Sequence, residues 1–384
     1  MQVTSGLEVL LRDGHPLVDG RRVGLLTHPA GVDRGLRSAV ELIRADRRWT
    51  LVALFGPEHG IRGDAEAGVH VASATDPRTG LVAHSLYGAT RVPTDEMLAD
   101  IDVLAIDLQD IGVRYFTYPA TVIGCIEAAA ARRTDVVILD RPAPLTGSHV
   151  EGGVLRAAHR SFVGAHDVPI RHGLTLGELA RLVAAECLLP VPAVVPVEGW
   201  RRPLWYDETT LPWIAPSPNL PTLDAVLVYA GTCLIEGTNL SEGRGTTRPF
   251  SLIGAPWLDG DALAARLRDR GLPGIAARAT SFVPTMSKHA GERCRGIELH
   301  VTDRDAARPT EVGLALLEDC VALSGDQLEW REAAFDRLSG DLAVREMLQR
   351  RASLDQLIAR WRDEARAFTH RRARHLLYPD DGLS

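Results

Sequence analysis

The chain has 384 residues, a formal net charge of -7, 45% apolar and 24% charged residues. At about 100–200 residues per domain this is two domains or one large one, and a chain of this size buries roughly 75% of its unfolded surface, so no disulfide or metal staple is required. Disorder, collagen and coiled coil are excluded on composition, and a mildly acidic chain argues against nucleic acid as a partner.

In chain order, residues 1–20 lack a basic segment followed by a 7–15-residue apolar stretch, so no signal peptide is expected and the expected location is cytoplasmic. The first half then alternates apolar runs with amphipathic stretches. Runs 23–27 (VGLLT), 51–55 (LVALF), 103–108 (VLAIDL) and 136–139 (VVIL) predict buried strands, and 36–44, 95–100 and 121–132 predict helices. That alternation predicts α/β units on a mostly parallel, Rossmann-like sheet. A helix is predicted over 175–188, with Thr175 and Glu178 as a capping box. A proline-rich stretch, 190–196, suggests a boundary between domains at 1–190 and 191–384. Beyond it, 225–235 reads as a strand, 261–270 as a helix, 276–283 and 296–302 as strands, and 311–323, 341–350 and 354–377 as helices. No run of about 18 apolar residues occurs, so no membrane span is expected.

Ligands of open α/β sheets bind beyond the carboxyl ends of the strands. Four predicted strand ends carry polar groups: His28, then Glu58 and His59, then Gln109 to Tyr115, then Asp140 and Arg141. Glu58 stands out, because a partly desolvated carboxyl group there suits a general acid; the competing reading is a turn carboxylate capping a helix near Ile61. Asp110, Arg114, Tyr115 and Tyr118 can bind a polyol or clamp a carboxylate, or Asp110 and Arg114 can simply pair at (i, i+4). Segment 236–247 (EGTNLSEGRGTT) holds two carboxylates, an amide and an arginine among three glycines, and predicts a binding loop. Trp200, Trp205 and Trp213 read first as core residues and second as a sugar-stacking face.

Standard signatures are absent. No GxGxxG follows the first strand, the 236–247 loop lacks P-loop spacing, and no HExxH, GxSxG or SxxK occurs, so no nucleotide cofactor is expected. The five cysteines form no CxxC and the 13 histidines have no ligand spacing, so no metal is expected. Only one lysine, Lys288, stands among 43 basic residues. It is either an accident or a place where a compact ammonium is needed and a planar guanidinium does not fit.

The segments GLLTHPAGVD (24–33), LFGPEHGIRGDAEAG (54–68), DLQDIGVRYFTY (107–118), LDRPAP (139–144), PIRHGLTLGELA (169–180), PSPNLPT (216–222), EGTNLSEGRGTTRPFSLIGAPW (236–257) and SFVPTMSKHAGERCRGIELHVTD (281–303) resemble the exo-β-N-acetylmuramidase family, glycoside hydrolase family 171. The resemblance runs from about Gly6 to Pro379. It implies a Rossmann-like domain joined to a smaller α+β domain, with the active site in the cleft between them. It also implies release of N-acetylmuramic acid from the non-reducing end of peptidoglycan-derived glycans. Two positions depart from the family pattern: Ala143, where DRPNP is usual, and Gly153, where VEGP is usual. Neither departure removes a charge, and either could alter a substrate contact.

Glycoside hydrolysis commonly needs two carboxyl groups, one of them the proton donor. The resemblance assigns the donor to Glu58. Glu151, Glu236, Glu242 and Asp110 are candidates for the second, with Glu151 and Glu236 preferred; the substrate acetamido group could also be the nucleophile. His59, Arg62, Asp110, Arg114, Tyr118, His172, Asn219, Asn239, Glu242, Arg244 and Lys288 are the expected substrate-binding residues, and the expected partner is a small muramic acid-containing glycan. The lactyl carboxylate needs a cation, for which Arg62, Arg114, Arg244 and Lys288 are candidates. The rival classes are a metal-dependent hydrolase of another substrate and a non-catalytic sugar-binding protein.

Overall fold

The computed structural model describes residues 2–63, 65–66 and 68–379, so two positions of the 54–68 motif and the last five residues lie outside it. The chain opens with α1 (Gly6–Asp13), whose Ser5 and Glu8 form a capping box. Seven strands follow: β1 (Arg22–Thr27), β2 (Thr50–Gly56), β3 (Ala74–Thr75), β4 (Val82–Ser85), β5 (Val103–Asp107), β6 (Asp135–Leu139) and β7 (Ala193–Val195). They form one sheet in the order β3-β4-β2-β1-β5-β6-β7, parallel except for the β3–β4 pair. The helices α2 (Ala39–Ala45), α3 (Asp95–Leu98), α4 (Thr117–Arg132) and α5 (Leu176–Glu186) join and cover these strands. All four strands expected in this half form. The sheet also runs through β7, past the expected boundary at 190, because the proline-rich stretch supplies an edge strand, where proline is tolerated.

The second half carries α6 (Leu223–Thr232), β8 (Leu252–Ala255), α7 (Gly260–Asp269), β9 (Ile275–Phe282), β10 (Cys294–Val301), α8 (Pro309–Ser324), α9 (Glu332–Ser339), α10 (Leu342–Gln349) and α11 (Asp355–Arg372). Its three strands make an antiparallel sheet in the order β8-β10-β9. The 225–235 run is α6 followed by a 3-10 turn, which corrects the strand expectation. A continuous apolar run carries no period to separate strand from helix. Here Thr222 caps the first turn, and α6 is buried on all sides. It crosses α8 at two glycines: a Cβ on Gly231 would stand 1.8 Å from the Pro309 carbonyl oxygen.

One apolar core unites the two halves. Side chains from β1, β5, α4, α6, β10 and α8 belong to a single buried cluster, while α1 and α2 cover a second on the other sheet face. Among the described residues, no helix is long and apolar enough to cross a membrane. Trp200 and Trp205 are buried, as the core reading expected. Ala143 packs with Val3, Val197, Trp200 and Tyr378, and Gly153 lies against the Trp361 indole, so both departures from the family pattern fall in packing positions.

Candidate active site

The order of the large sheet reverses about β1, which places the ends of β1, β2 and β5 side by side. Most polar groups at those ends satisfy one another. The Arg141 guanidinium donates to both oxygens of Asp107, at 2.6 and 2.9 Å, with donor and acceptor fully buried. The Gln109 N–H donates to His28 Nε2, and Tyr118 bridges from His28 Nδ1 to the Pro216 carbonyl. Asp140 accepts from Thr175, Gly177 and Tyr378, which ties the end of β6 to α5 and to the last described turn.

The end of β2 instead opens outward. The chain turns sharply at 58–63, without forming a helix, and His59 adopts φ 72, a left-handed conformation costly for a non-glycine residue. Its ring Nδ1 lies 2.8 Å from the Ala65 carbonyl, which holds the loop. This turn projects Glu58 into a cleft of about 620 Å³ between the two halves. The Thr117 hydroxyl donates to Glu58 Oε2 at 2.7 Å, and the Gly68 N–H donates to Oε1 at 2.8 Å. Tyr87 lies beside this carboxylate; burial, reinforced by the Glu58 charge, pushes its phenol up to about 12.

The opposite wall comes from the loop after α6. Arg244 donates to Glu236 Oε1 through Nε and Nη2, at 2.9 and 2.6 Å, and its Nε lies 3.4 Å from Glu242. Lys288 Nζ donates to the carbonyls of Ile235 and Leu240 at 3.1 and 2.7 Å and pairs with Glu242 Oε2 at 2.9 Å. Burial pulls the Lys288 ammonium below its ordinary value, with Glu242 opposing that pull. These contacts form an alternating chain of two carboxylates and two cations that braces the glycine-rich loop. The Glu236 side chain keeps 27% of its surface exposed, while Glu242 keeps only 2%. Of these two carboxylates, Glu236 is therefore the one that a ligand can reach.

The fourteen residues expected at the site divide evenly. Glu58, His59, Asn219, Glu236, Glu242, Arg244 and Lys288 line the cleft. The other seven lie elsewhere. Glu151 accepts from Arg171 at 2.7 Å and from the Thr310 hydroxyl at 3.1 Å, so it caps the first turn of α8 rather than facing the cleft. Arg62 pairs with Asp76 at 2.5 Å in a separate surface groove. Asn239 spends both ends of its amide on Gln327 and Glu329. Arg114 does not pair with Asp110; it donates to the carbonyls of Gly153, Val168, Leu338 and Ser339, and burial pulls it down to about 10. Tyr118 belongs to the His28 network under the site.

Asp110 accepts the Gly112 N–H at 2.8 Å, and burial pushes its carboxyl up to about 7. His172 stands 3.9 Å away, pulled down to about 3 by burial next to Arg372 and Arg114. Both are sealed from solvent.

The cleft also holds residues that the sequence reading did not single out: Glu66, Tyr87, Phe116, Thr117, Tyr229, Arg331 at the N-cap of α9 and Arg337 within it. Thr117 and Phe116 lie inside a motif already quoted. The α9 arginines sit in an unremarkable amphipathic stretch, and only tertiary packing brings them here. Among the described residues, no group of three or more His, Cys, Asp or Glu side chains is placed to hold a metal ion.

Comparison with known proteins agrees with this architecture. Two family descriptions match in succession: "Exo-beta-N-acetylmuramidase NamZ, N-terminal" over residues 23–224 and "Exo-beta-N-acetylmuramidase NamZ, C-terminal" over residues 227–378. The peptidoglycan β-N-acetylmuramidase NamZ of Bacillus subtilis (strain 168) is 42% identical over 379 residues, 98% of this chain and 92% of that protein. Two crystal structures of DUF1343 family proteins from Bacteroides fragilis NCTC 9343 share the fold. One has a TM-score of 0.91 at 35% identity, covering 98% of this chain and 99% of its own. The other has a TM-score of 0.80 at 30% identity, covering 99% and 100%. With the two family descriptions spanning nearly the whole chain in order, the chain belongs to the exo-β-N-acetylmuramidase NamZ family.

Proposed function

We infer that the cleft hydrolyses the β-glycosidic bond of N-acetylmuramic acid at the non-reducing end of peptidoglycan-derived glycans, with Glu58 as the proton donor. The setting of Glu58 carries this reading: it is the carboxylate at the open strand end, 8% exposed, facing a cleft of sugar size. Its two oxygens differ. A fixed backbone N–H holds Oε1, whereas Oε2 meets a hydroxyl that can rotate. Oε2 is thus the oxygen that carries the proton and hands it to the departing glycosidic oxygen.

Across the cleft, Glu236 is the second carboxylate. Arg244 engages its Oε1, while among the described residues Oε2 meets a distant thiol, Cys233 Sγ at 3.7 Å. A carboxylate there stabilises the oxocarbenium-like transition state, or orients the substrate acetamido group that does so. Glu242 and Lys288 keep the loop in place rather than meeting the sugar. A chromogenic β-N-acetylmuramide beside its β-N-acetylglucosaminide analogue tests the reading. Turnover of the muramide supports it; binding of the muramide without release of the chromophore contradicts it.

A further inference from the structure

Muramic acid differs from glucosamine by a lactyl ether that ends in a carboxylate. Arg244 and Lys288, the two cations of the loop wall, are already committed: the first to Glu236 and Glu242, the second to Glu242 and two carbonyls. The group of four carries no net charge. Two other cations line the cleft, Arg331 and Arg337. Arg331 caps the start of α9 and Arg337 lies within it; together with Ala334 and Leu338 they present one face, at the three- and four-residue spacing of a helix. Among the described residues, neither arginine side chain makes an ion pair or a hydrogen bond, and both are solvent-exposed. Ala334, between them, adds only a methyl group and leaves room for a ligand.

This face is fastened to the loop that carries Glu236. The Arg331 N–H donates to the Gly237 carbonyl at 2.8 Å, Trp330 bridges to Thr238, and a Cβ on Gly237 would stand 2.6 Å from Phe335. Arg331 and Arg337 therefore hold a fixed position relative to Glu236, while Glu58 and Glu66 make the facing wall acidic. An anionic sugar entering this cleft has one uncompensated positive face to meet.

The geometry points to Arg331 and Arg337 as the specificity-determining pair that reads the lactyl carboxylate of the muramic acid residue. The inference rests on the muramidase reading above. Arginine suits a carboxylate through paired N–H donors, and a pair of arginines on one helix face orients the sugar by a single edge.

The test compares a chromogenic β-N-acetylmuramide with its lactyl methyl ester, using wild type and the Arg331→Gln/Arg337→Gln double variant. Wild type prefers the free acid. In the double variant, kcat/KM on the acid falls about ten- to hundredfold, chiefly through KM, and the preference for acid over ester disappears. Arg331→Lys/Arg337→Lys restores part of that preference, because charge returns without the fork. Equal melting temperatures establish that the variants fold, as expected of exposed side chains without protein partners. A double variant that prefers the acid as strongly as wild type overturns the inference.

If wild type turns over neither substrate, the muramidase reading has failed, and calorimetric binding of N-acetylmuramic acid and N-acetylglucosamine decides this one. Tighter binding of the muramic acid that the double variant loses supports it. A wild type that does not distinguish the two sugars, or a double variant that still does, overturns it.

Discussion

Lys288→Arg is the substitution whose effect follows most directly from the structure. The ammonium makes three contacts in three directions, to the carbonyls of Ile235 and Leu240 and to Glu242, and its side chain is only 8% exposed. A tetrahedral ammonium satisfies that arrangement; a planar guanidinium, larger by two heavy atoms, does not. Overpacking a filled site costs about 1–3 kcal/mol. The lost charge-assisted hydrogen bonds act in the same direction, at about 1.5–3 kcal/mol each. Because new arginine contacts recover part of this, a net loss of about 2 kcal/mol is expected, which lowers the melting temperature by a few degrees. The displaced loop carries Glu236 and Arg244, so kcat/KM on a muramic acid substrate should fall on the order of tenfold. Thermal melting and initial rates on the chromogenic muramide measure both. A variant that matches wild type in melting temperature and in kcat/KM refutes the reasoning and makes the sole lysine an accident of composition.

Two further outcomes follow from residues outside the cleft. Asp110 has its carboxyl raised from 3.8 to about 7, so its contribution to stability is fully present below pH 3.8 and is lost as pH rises through 7. Asp110→Asn should therefore gain about 1–3 kcal/mol relative to wild type between pH 5 and pH 8, read from denaturant midpoints; a difference that does not change with pH contradicts the burial argument. Glu151→Gln breaks a buried pair with Arg171 and weakens the cap of α8, and should cost about 2–4 kcal/mol of stability while the folded fraction keeps its kcat. Loss of turnover at an unchanged melting temperature would return Glu151 to the reaction.

Much of this was legible in the sequence because the information is local. The strands β1, β2, β5 and β6 are short runs of Val, Ile and Leu ended by polar or turn residues, and Thr175 with Glu178 announces α5 directly. Glu58 could be found because it follows an apolar strand in a turn. The failures share a cause. Whether Asp110, Arg114 or Glu151 faces the cleft or the core depends on what packs over it from 20 to 225 residues away, such as Arg171 against Glu151 and the Leu338 and Ser339 carbonyls over Arg114. Segment 225–235 is apolar throughout, so only the α8 surface, with its paired glycine, makes it a helix packed in the core. Arg331 and Arg337 lack any local signature, since an exposed arginine on an amphipathic helix ordinarily meets water.

Glu58→Gln, assayed on a muramic acid disaccharide with a sugar leaving group and on an activated aryl muramide, tests the central claim most directly. The variant keeps the shape of the side chain and its neighbours Thr117 and Gly68 but has no proton to give. If Glu58 is the proton donor, turnover of the disaccharide falls by about a hundredfold to ten-thousandfold at an unchanged melting temperature, and the aryl substrate, which needs little protonation, falls far less. Near wild-type hydrolysis of the disaccharide by a folded Glu58→Gln enzyme would contradict the account.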